Sequence, residues 1–151
     1  MIIMPRTVLS LQATLKPHKL VVLDRIYYFT PIQHINQRFV LGVINAKLIN
    51  FWFEYYFDTL KVSGGYFDLN GNQIKTIPVP NISVKNIDKI DSLVARVLEK
   101  YNDNPNLTST EEELIIDTLL YKHCKLTYED VLLIDNNFSL SRSDYDGFQI
   151  E

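Results

Sequence analysis

Cysteine is almost absent from this chain of 151 residues, since Cys124 is the only one. A single cysteine cannot form a disulfide within the chain, and we therefore expect a cytoplasmic location. Long apolar runs are missing as well. The most apolar stretch, residues 39–53, is interrupted by Asn45, Lys47 and Asn50, whereas a membrane span needs roughly 18 continuous apolar residues. The N-terminus also lacks the features of a secretory signal, so the sequence predicts no membrane partner.

Residues that could carry catalysis or bind a metal are few and scattered. The three histidines are His18, His34 and His123. They lie in three different segments, and no two stand at the helical spacing of metal ligands. The pair Gly64-Gly65 lacks the further glycine and lysine of a phosphate-binding loop. Asp58 and Asp68 lack the second acid and lysine that metal-dependent nucleases use. We therefore expect no catalytic residue, no metal and no other cofactor in this chain, and no enzyme activity of its own.

Charge is distributed unevenly along the chain, although the net charge is only −3. Residues 1–80 carry eight Lys and Arg against four Asp and Glu, while residues 81–151 carry seven against fourteen. A polyanion such as nucleic acid would therefore meet the first 80 residues. An ordinary solvated surface with uneven charge explains the same numbers equally well.

The pattern of the first 80 residues predicts an α+β fold with a small β-containing unit and one buried helix. Residues 8–15, 20–23 and 26–30 have the alternation or β-branched content of strands, with Pro17 as a turn former in a hairpin-like connection. A helix is predicted after an N-cap at Asn36. Its apolar residues recur at spacings of three and four as far as Trp52 and Tyr55. We expect these two aromatic residues to lie in the core, with a ligand-binding or base-stacking role as the alternative.

Two or three further helices are predicted beyond the proline-rich end of this unit, in an appendage of residues 81–135. The first, residues 84–101, carries a heptad stripe that would lie against another helix. Its members are Ile87, Ile90, Val94, Val97 and Tyr101. The second, residues 110–123, follows a Ser109/Thr110 cap with acidic residues in its first turn. Thr127 caps a short helix of residues 128–134. Residues 136–151 are polar and aperiodic, and a flexible tail is expected there.

Several segments together resemble a known family of DNA-recognition domains. Residues 41–53, LGVINAKLINFWF, are similar to the "LLNSKLLNFYF" helix of the TaqI-like C-terminal specificity domain. This is the target-recognition domain of Eco57I-type restriction–modification DNA methyltransferases. Residues 64–80 are similar to that family's glycine-rich loop and its Pro-x-Pro ending, a form related to type I specificity subunits. Residues 116–131 are similar to the family's last helical segment, and residues 4–7 lie where its members have an Arg-Thr or Arg-Arg pair. Cys124 differs from the glycine usual at its position.

The resemblance implies a function and a set of contact residues. The chain would read double-stranded DNA as the target-recognition module of a type II restriction enzyme or methyltransferase, and would direct a separate catalytic domain or subunit. S-adenosylmethionine is expected in that catalytic partner, because the family's methyltransferase core is missing here. The chain would thus be a C-terminal fragment, a split subunit or a truncated relic. The implied DNA contacts are Arg6, Thr7, Lys61, Gly64, Gly65, Tyr66 and Asn70.

Each of these contacts has a plain structural alternative. Arg6 could form a surface ion pair, Asn70 could cap a turn, and Tyr66 could pack under its loop. The heptad stripe would form the interface with the catalytic partner or with a second copy in a homodimer. A protein-interaction or oligomerisation module that no longer binds DNA by itself is the competing hypothesis.

Overall fold

The computed structural model describes residues 1–16, 24–32, 35–108 and 110–150, and its mixed helices and short strands confirm the α+β prediction. The strands are β1 Ile2–Pro5, β2 Thr7–Val8, β3 Thr14–Leu15, β4 Ile26–Phe29 and β5 Phe67–Asp68. The helices are α1 Gln37–Asn45, α2 Lys47–Phe57, α3 Gly71–Lys75, α4 Val84–Asp103, α5 Glu111–His123, α6 Tyr128–Ile134 and α7 Arg142–Gly147. The predicted strand at residues 20–23, Pro17, His18, His34 and Ser109 lie outside the described residues.

The strands form two small antiparallel sheets. β1 is central in the first sheet, with β3 on one side and β4 on the other. The second sheet pairs β2 with β5, so that Thr7 lies opposite Asp68 and Val8 opposite Phe67. Only Arg6 separates β1 from β2, and the two sheets are therefore adjoining parts of one surface.

The predicted strand over residues 8–15 is wrong in its middle. Strand pairing is present only at residues 7–8 and 14–15, because side chains of the helical layer bind the intervening backbone. The N–H of Ala13 donates to the Asn45 side chain at 2.8 Å, and that side chain donates back to the Ala13 carbonyl at 2.9 Å. The N–H of Leu11 donates to Asn50 Oδ1 at 2.6 Å. Residues 9–13 are therefore a loop bound to the helices.

The helix predicted after Asn36 begins as expected, since the Asn36 side chain accepts a hydrogen bond from the N–H of Phe39. It does not continue to Tyr55 as one helix. Ala46 takes an extended conformation with ψ of 143° and divides it into α1 and α2. Helix α1 is the buried helix, because residues 39–44 are all buried. The chain turns at Ala46, so α2 follows a different direction and exposes much of its aromatic content.

Most of the heptad stripe of α4 packs inside this chain. Ile90 and Val94 are buried, and a Cβ atom placed on Gly42 of α1 would lie 3.0 Å and 2.9 Å from their Cγ2 atoms. Glycine at position 42 thus allows α1 and α4 to approach closely. Ile87 packs on the same core, and the Tyr101 hydroxyl donates to Glu113 of α5 at 3.3 Å. These four residues of the predicted partner interface therefore lie on the face of α4 that meets α1 and α5, whereas Val97 is partly exposed and lines a cleft.

One hydrophobic core crosses the predicted boundary at residue 80. It contains Ile2 and Met4 from β1, Phe53 from α2, and Ile90 and Ile116 from α4 and α5. The helices predicted for residues 110–123 and 128–134 are confirmed within one residue at each end. Thr110 and Thr127 each form the expected cap. The appendage therefore completes the core of the first unit.

The expected flexible tail is a folded segment. Phe138 and Tyr145 are buried against Tyr121 and Val131 in a second, smaller core, and α7 lies between residues 142 and 147. The Tyr145 hydroxyl donates to the Leu126 carbonyl at 2.8 Å. Leu140 also packs on this second core and Phe148 packs on the main core, so several apolar side chains hold this otherwise polar segment. Over the described residues, no helix combines the length and the apolar content that crossing a membrane requires.

Candidate nucleic-acid interface

The pairing of β2 with β5 brings two distant segments of the sequence together. Leu69 donates its N–H to the Arg6 carbonyl at 2.8 Å, next to the Thr7–Asp68 pair of the ladder. Lys61 forms an isolated bridge with Phe67 on the other side of β5. Arg6 and Thr7 therefore share one surface with the segment from Lys61 to Asn70. We call this the recognition surface: Arg6, Thr7, Lys61, Gly64, Gly65, Tyr66, Asp68 and Asn70.

Arg6 is held by a carboxylate. Its Nε donates to Asp68 Oδ1 at 2.8 Å and its Nη2 donates to Asp68 Oδ2 at 3.0 Å. These hydrogen bonds are the main cause of the raised pKa of Arg6. Both side chains are exposed, at 47% and 42%, so the pair is open to exchange with a ligand. The surface ion pair is thus what the structure shows, and Asp68 is a residue that the sequence pattern did not place here.

Lys61 is also paired. Its Nζ donates to Asp58 Oδ1 at 2.7 Å, and this hydrogen bond is the main cause of its raised pKa. The same ammonium lies 5.3 Å from the centre of the Phe67 ring. Each of the two basic residues predicted to contact DNA therefore has an aspartate beside it. The local charge of the recognition surface is close to balanced.

The glycine-rich loop forms a tight turn beside Lys61. Gly64 and Gly65 have φ values of 82° and 79°, a region that residues with a side chain rarely adopt. Val62 donates its N–H to the Tyr66 carbonyl at 2.7 Å, and Gly65 donates its N–H to the Val62 carbonyl at 3.1 Å. A Cβ atom on Gly64 would lie 3.3 Å from the Tyr66 ring. The glycines are required by the turn itself, and the Gly65 amide is used within it.

Asn70 closes the recognition surface as a helix cap. Its side chain accepts from the N–H groups of Asn72 and Gln73, while the Gln73 side chain accepts from the N–H of Asn70 at 2.8 Å. Tyr27 donates its hydroxyl to the neighbouring Leu69 carbonyl at 3.0 Å. The capping alternative is thus the observed one, and it fixes where the chain leaves β5.

Arg25 is a basic residue of this region that the sequence pattern did not reveal. Its carbonyl accepts the N–H of Arg6 at 2.8 Å, and its own φ is 70°. Its side chain is exposed, and among the described residues its guanidinium has no carboxylate partner. The positive φ reflects a tight turn that leads into β4. Only the pairing of Arg6 with this turn reveals that Arg25 lies beside the recognition surface.

A group of exposed aromatic and aliphatic side chains lies on α2 and on the turn that follows it. We call it the α2 patch: Phe51, Tyr55, Tyr56, Leu60 and Val62, which are 44–82% exposed. Tyr56 stacks on the half-buried Trp52 at 5.3 Å between ring centres. The prediction that Tyr55 lies in the core is wrong, since it is 82% exposed. Helix α2 contains more large apolar residues than one helix face can bury. This excess is visible in the sequence and could have indicated that some of them are exposed.

The chain matches no protein-family model, no curated protein and no solved structure. Within the described ranges, no group of three or more His, Cys, Asp and Glu side chains is placed to hold a metal ion. The seven predicted DNA contacts are all exposed and lie on or close to the β2–β5 ladder, and most of the heptad residues are packed within the fold.

Proposed function

We propose that this chain is a cytoplasmic target-recognition module that reads double-stranded DNA with its recognition surface. One observation carries the proposal. The β2–β5 ladder pairs the Arg6-Thr7 segment with Asp68 and Leu69, between the glycine turn and Asn70, and these are the segments that resemble DNA-recognition domains of restriction–modification methyltransferases. Residues about 60 positions apart in the sequence thus form one continuous surface.

Arg6 is the proposed base-reading residue. Its guanidinium already forms a two-pronged contact with Asp68, and the same fork geometry matches the O6 and N7 atoms of guanine or a phosphate. An exposed ion pair contributes little to stability because water competes with both partners. A guanine edge is therefore able to replace Asp68. Asp68 would hold the side chain extended in the absence of DNA and disfavour phosphates that carry no matching base.

The remaining residues of the recognition surface would position the duplex. Thr7 has a hydroxyl that can hydrogen-bond to either a base or a phosphate. Lys61 and Arg25 supply positive charge for the phosphate backbone, where most contacts fix register and not sequence. We propose no catalytic role for any residue of this chain. The methylation step would be carried out by a separate catalytic domain or subunit that binds S-adenosylmethionine.

The first experiment is selection of random duplex DNA by the purified chain, at low and at physiological salt. A recognition module enriches a short motif that survives the higher salt. Binding by phosphate contacts alone fades steeply as salt rises. Arg6→Ala should abolish the enrichment. Arg142→Ala is the matched control, because Arg142 forms an exposed ion pair with Glu129 outside the recognition surface and its loss should change nothing.

A second function has its own supporting observation. The α2 patch exposes large apolar side chains, among them Tyr55 at 82% and Tyr56 at 64%, and such patches often mark protein contacts. Under this alternative the chain is an interaction or homodimerisation module without DNA binding of its own. Sedimentation of the wild-type chain and of a Tyr55→Ser/Tyr56→Ser variant distinguishes the cases. The alternative is supported if the wild-type chain sediments as a dimer, the variant sediments as a monomer, and the selection enriches no DNA motif.

A further inference from the structure

A second concave feature lies away from the recognition surface. A cleft of about 720 Å³ opens between the loop of residues 10–14, the junction of α1 with α2, and the facing sides of α4 and α5. No residue of the recognition surface lines it. Small-molecule sites in proteins commonly have volumes of roughly 300–1,000 Å³. The cleft is therefore large enough for an organic molecule.

The walls of the cleft are fixed before any ligand arrives. Asn45 exchanges two hydrogen bonds with the backbone of Ala13, and Asn50 accepts one from Leu11. These contacts hold the loop of residues 10–14 against the helices. A preformed cleft loses little conformational entropy when it binds a ligand, and this favours affinity.

The lining of the cleft is mixed: α4 contributes apolar side chains, α5 contributes two acids, and Lys47 also lines it. The apolar side chains are Val94, Val97 and Leu98, and the acids are Glu113 and Asp117. Glu113 is already engaged, since it accepts hydrogen bonds from the N–H of its own helix cap and from the Tyr101 hydroxyl. Asp117 is the more deeply buried of the two acids, with 7% of its surface exposed.

Asp117 has no cation of its own among the residues the structure describes. Its Oδ1 accepts the backbone N–H of Lys47 at 2.8 Å, but the Lys47 ammonium binds Asp135 Oδ2 at 2.6 Å instead. The titratable groups around Asp117 are Lys47, Asp135, Glu113 and the buried phenol of Tyr121. One ammonium thus faces three carboxylates when Asp117 itself is counted. Burial is the main cause that raises the pKa of Asp117 to about 7; the carboxylates of Asp135 and Glu113 raise it further, and the backbone hydrogen bond and the charge of Lys47 act against them. A buried carboxylate in this state is stabilised by any positive charge that reaches it.

We propose that the cleft binds a small organic cation, with an ammonium or amidinium group at Asp117 and an apolar part against Val94, Val97 and Leu98. A charge-assisted hydrogen bond in a mostly apolar cleft fixes the orientation of such a ligand. The inference is independent of DNA binding, because the cleft and the recognition surface share no residue.

The test uses benzylamine and benzyl alcohol, which have nearly the same size and shape and differ in charge. Backbone amide resonances of the full chain are followed by NMR during titration at neutral pH. Benzylamine should give saturable shifts confined to the cleft, with an affinity at least about tenfold above that of benzyl alcohol. Asp117→Asn should remove this preference for the amine. Asp88→Asn makes the same charge change on an exposed position of α4 and should leave it intact.

A second variant keeps the test decisive if Asp117→Asn disturbs the helix junction. Val97→Phe fills the cleft and leaves Asp117 in place, and it should abolish binding of both compounds while the far-ultraviolet circular dichroism spectrum stays unchanged. Three results overturn the proposal: no saturable shift with benzylamine, equal affinity for the amine and the alcohol, or wild-type binding by folded Val97→Phe.

Discussion

The carboxylate of Asp117 accepts a hydrogen bond from the backbone N–H of Lys47 at 2.8 Å, although 70 residues separate the two. Lys47 is the first residue of α2, and Ala46 before it offers no side-chain cap. Helix α5 thus supplies the cap that α2 lacks, and a carboxylate at a helix N-terminus also interacts favourably with the helix dipole. This contact stabilises the start of α2 immediately after the break at Ala46.

The raised pKa of Asp117 predicts a dependence of stability on pH. Burial is its main cause, and it brings the pKa from 3.8 to about 7. The folded state therefore holds the proton more tightly than the unfolded state, and stability from this group falls as pH rises from about 4 to about 7. The full effect is at most on the order of 4 kcal/mol. Asp117→Asn keeps the acceptor for the Lys47 N–H and loses the charge, so its stability relative to wild type should increase with pH.

Urea unfolding at about pH 5 and about pH 8 measures this difference. The comparison between the two proteins matters, because carboxylates with a lowered pKa, such as Asp91 beside Arg38, act in the opposite direction in both. Asp88→Asn, on an exposed site, controls for the loss of one negative charge. A constant gap between wild type and Asp117→Asn, or one that shrinks with rising pH, would contradict the assignment.

A second prediction concerns Asp68, which holds the fork of Arg6. Asp68→Asn removes one negative charge from the recognition surface and weakens the hold on the guanidinium. Affinity for duplex DNA should rise several-fold, and discrimination between sequences should fall, since Arg6 becomes available to any phosphate. Fluorescence anisotropy with the selected duplex and a scrambled duplex measures both quantities.

The control for this prediction is Asp103→Asn, which makes the same charge change at an exposed position at the end of α4. It should leave the affinity unchanged within about a factor of two. Weaker binding by Asp68→Asn would mean that Asp68 orders the recognition surface or contacts the DNA itself. The proposal that a guanine edge replaces Asp68 as the partner of Arg6 would then be wrong.

Features that depend on neighbouring residues were predictable from the sequence. The caps at Asn36, Thr110 and Thr127 are where the local pattern places them, because a cap is decided within about four residues. The helix over residues 84–101 was predicted from its own apolar spacing, and the observed helix ends two residues later, at Asp103. The apolar periodicity indicates that one face of this helix packs against another element. It does not identify that element, which is α1, at Gly42.

Features that depend on distant residues were not predictable. The helix that begins after the break at Ala46 is capped by Asp117, and the loop of residues 9–13 is bound by Asn45 and Asn50. No local signal connects these positions. The choice of candidate DNA contacts came from the resemblance alone, and their proximity in space was not predicted. The aspartate beside Arg6 could not be placed, since it depends on the register of β2 against β5.

Gly42 gives a third prediction, on the contact between α1 and α4. Alanine in a helix is favoured over glycine by about 1 kcal/mol. Here its Cβ would lie 2.9 Å from Val94 Cγ2, on a buried and β-branched side chain that has little freedom to move. Gly42→Ala should therefore destabilise the protein by about 1–3 kcal/mol, as overpacking does. Thermal and urea unfolding provide the measurement.

The double variant Gly42→Ala/Val94→Ala tests the cause. Val94→Ala removes the methyl groups that the new Cβ meets, so Gly42→Ala should be neutral or stabilising in that background. Ile90 is 3.0 Å from the same Cβ position and limits how complete the rescue is. Strictly additive effects of the two substitutions would show that the helices do not meet at this point.

The last prediction separates a folded C-terminal segment from a loose one. Tyr145 is 1% exposed, lies 5.7 Å from Phe138 between ring centres, and donates its hydroxyl to Leu126. Tyr145→Ala should cost about 3 kcal/mol, the lower end of the range for removing a buried aromatic ring. Ser143→Ala changes an exposed position of the same helix and should have little effect. Because Tyr145 packs beside Tyr121 and Val131 in the second core, the loss should appear in global unfolding and not as a local change. If Tyr145→Ala and Ser143→Ala are equally stable, the prediction is wrong and the C-terminal segment is the flexible tail that the polar sequence predicts.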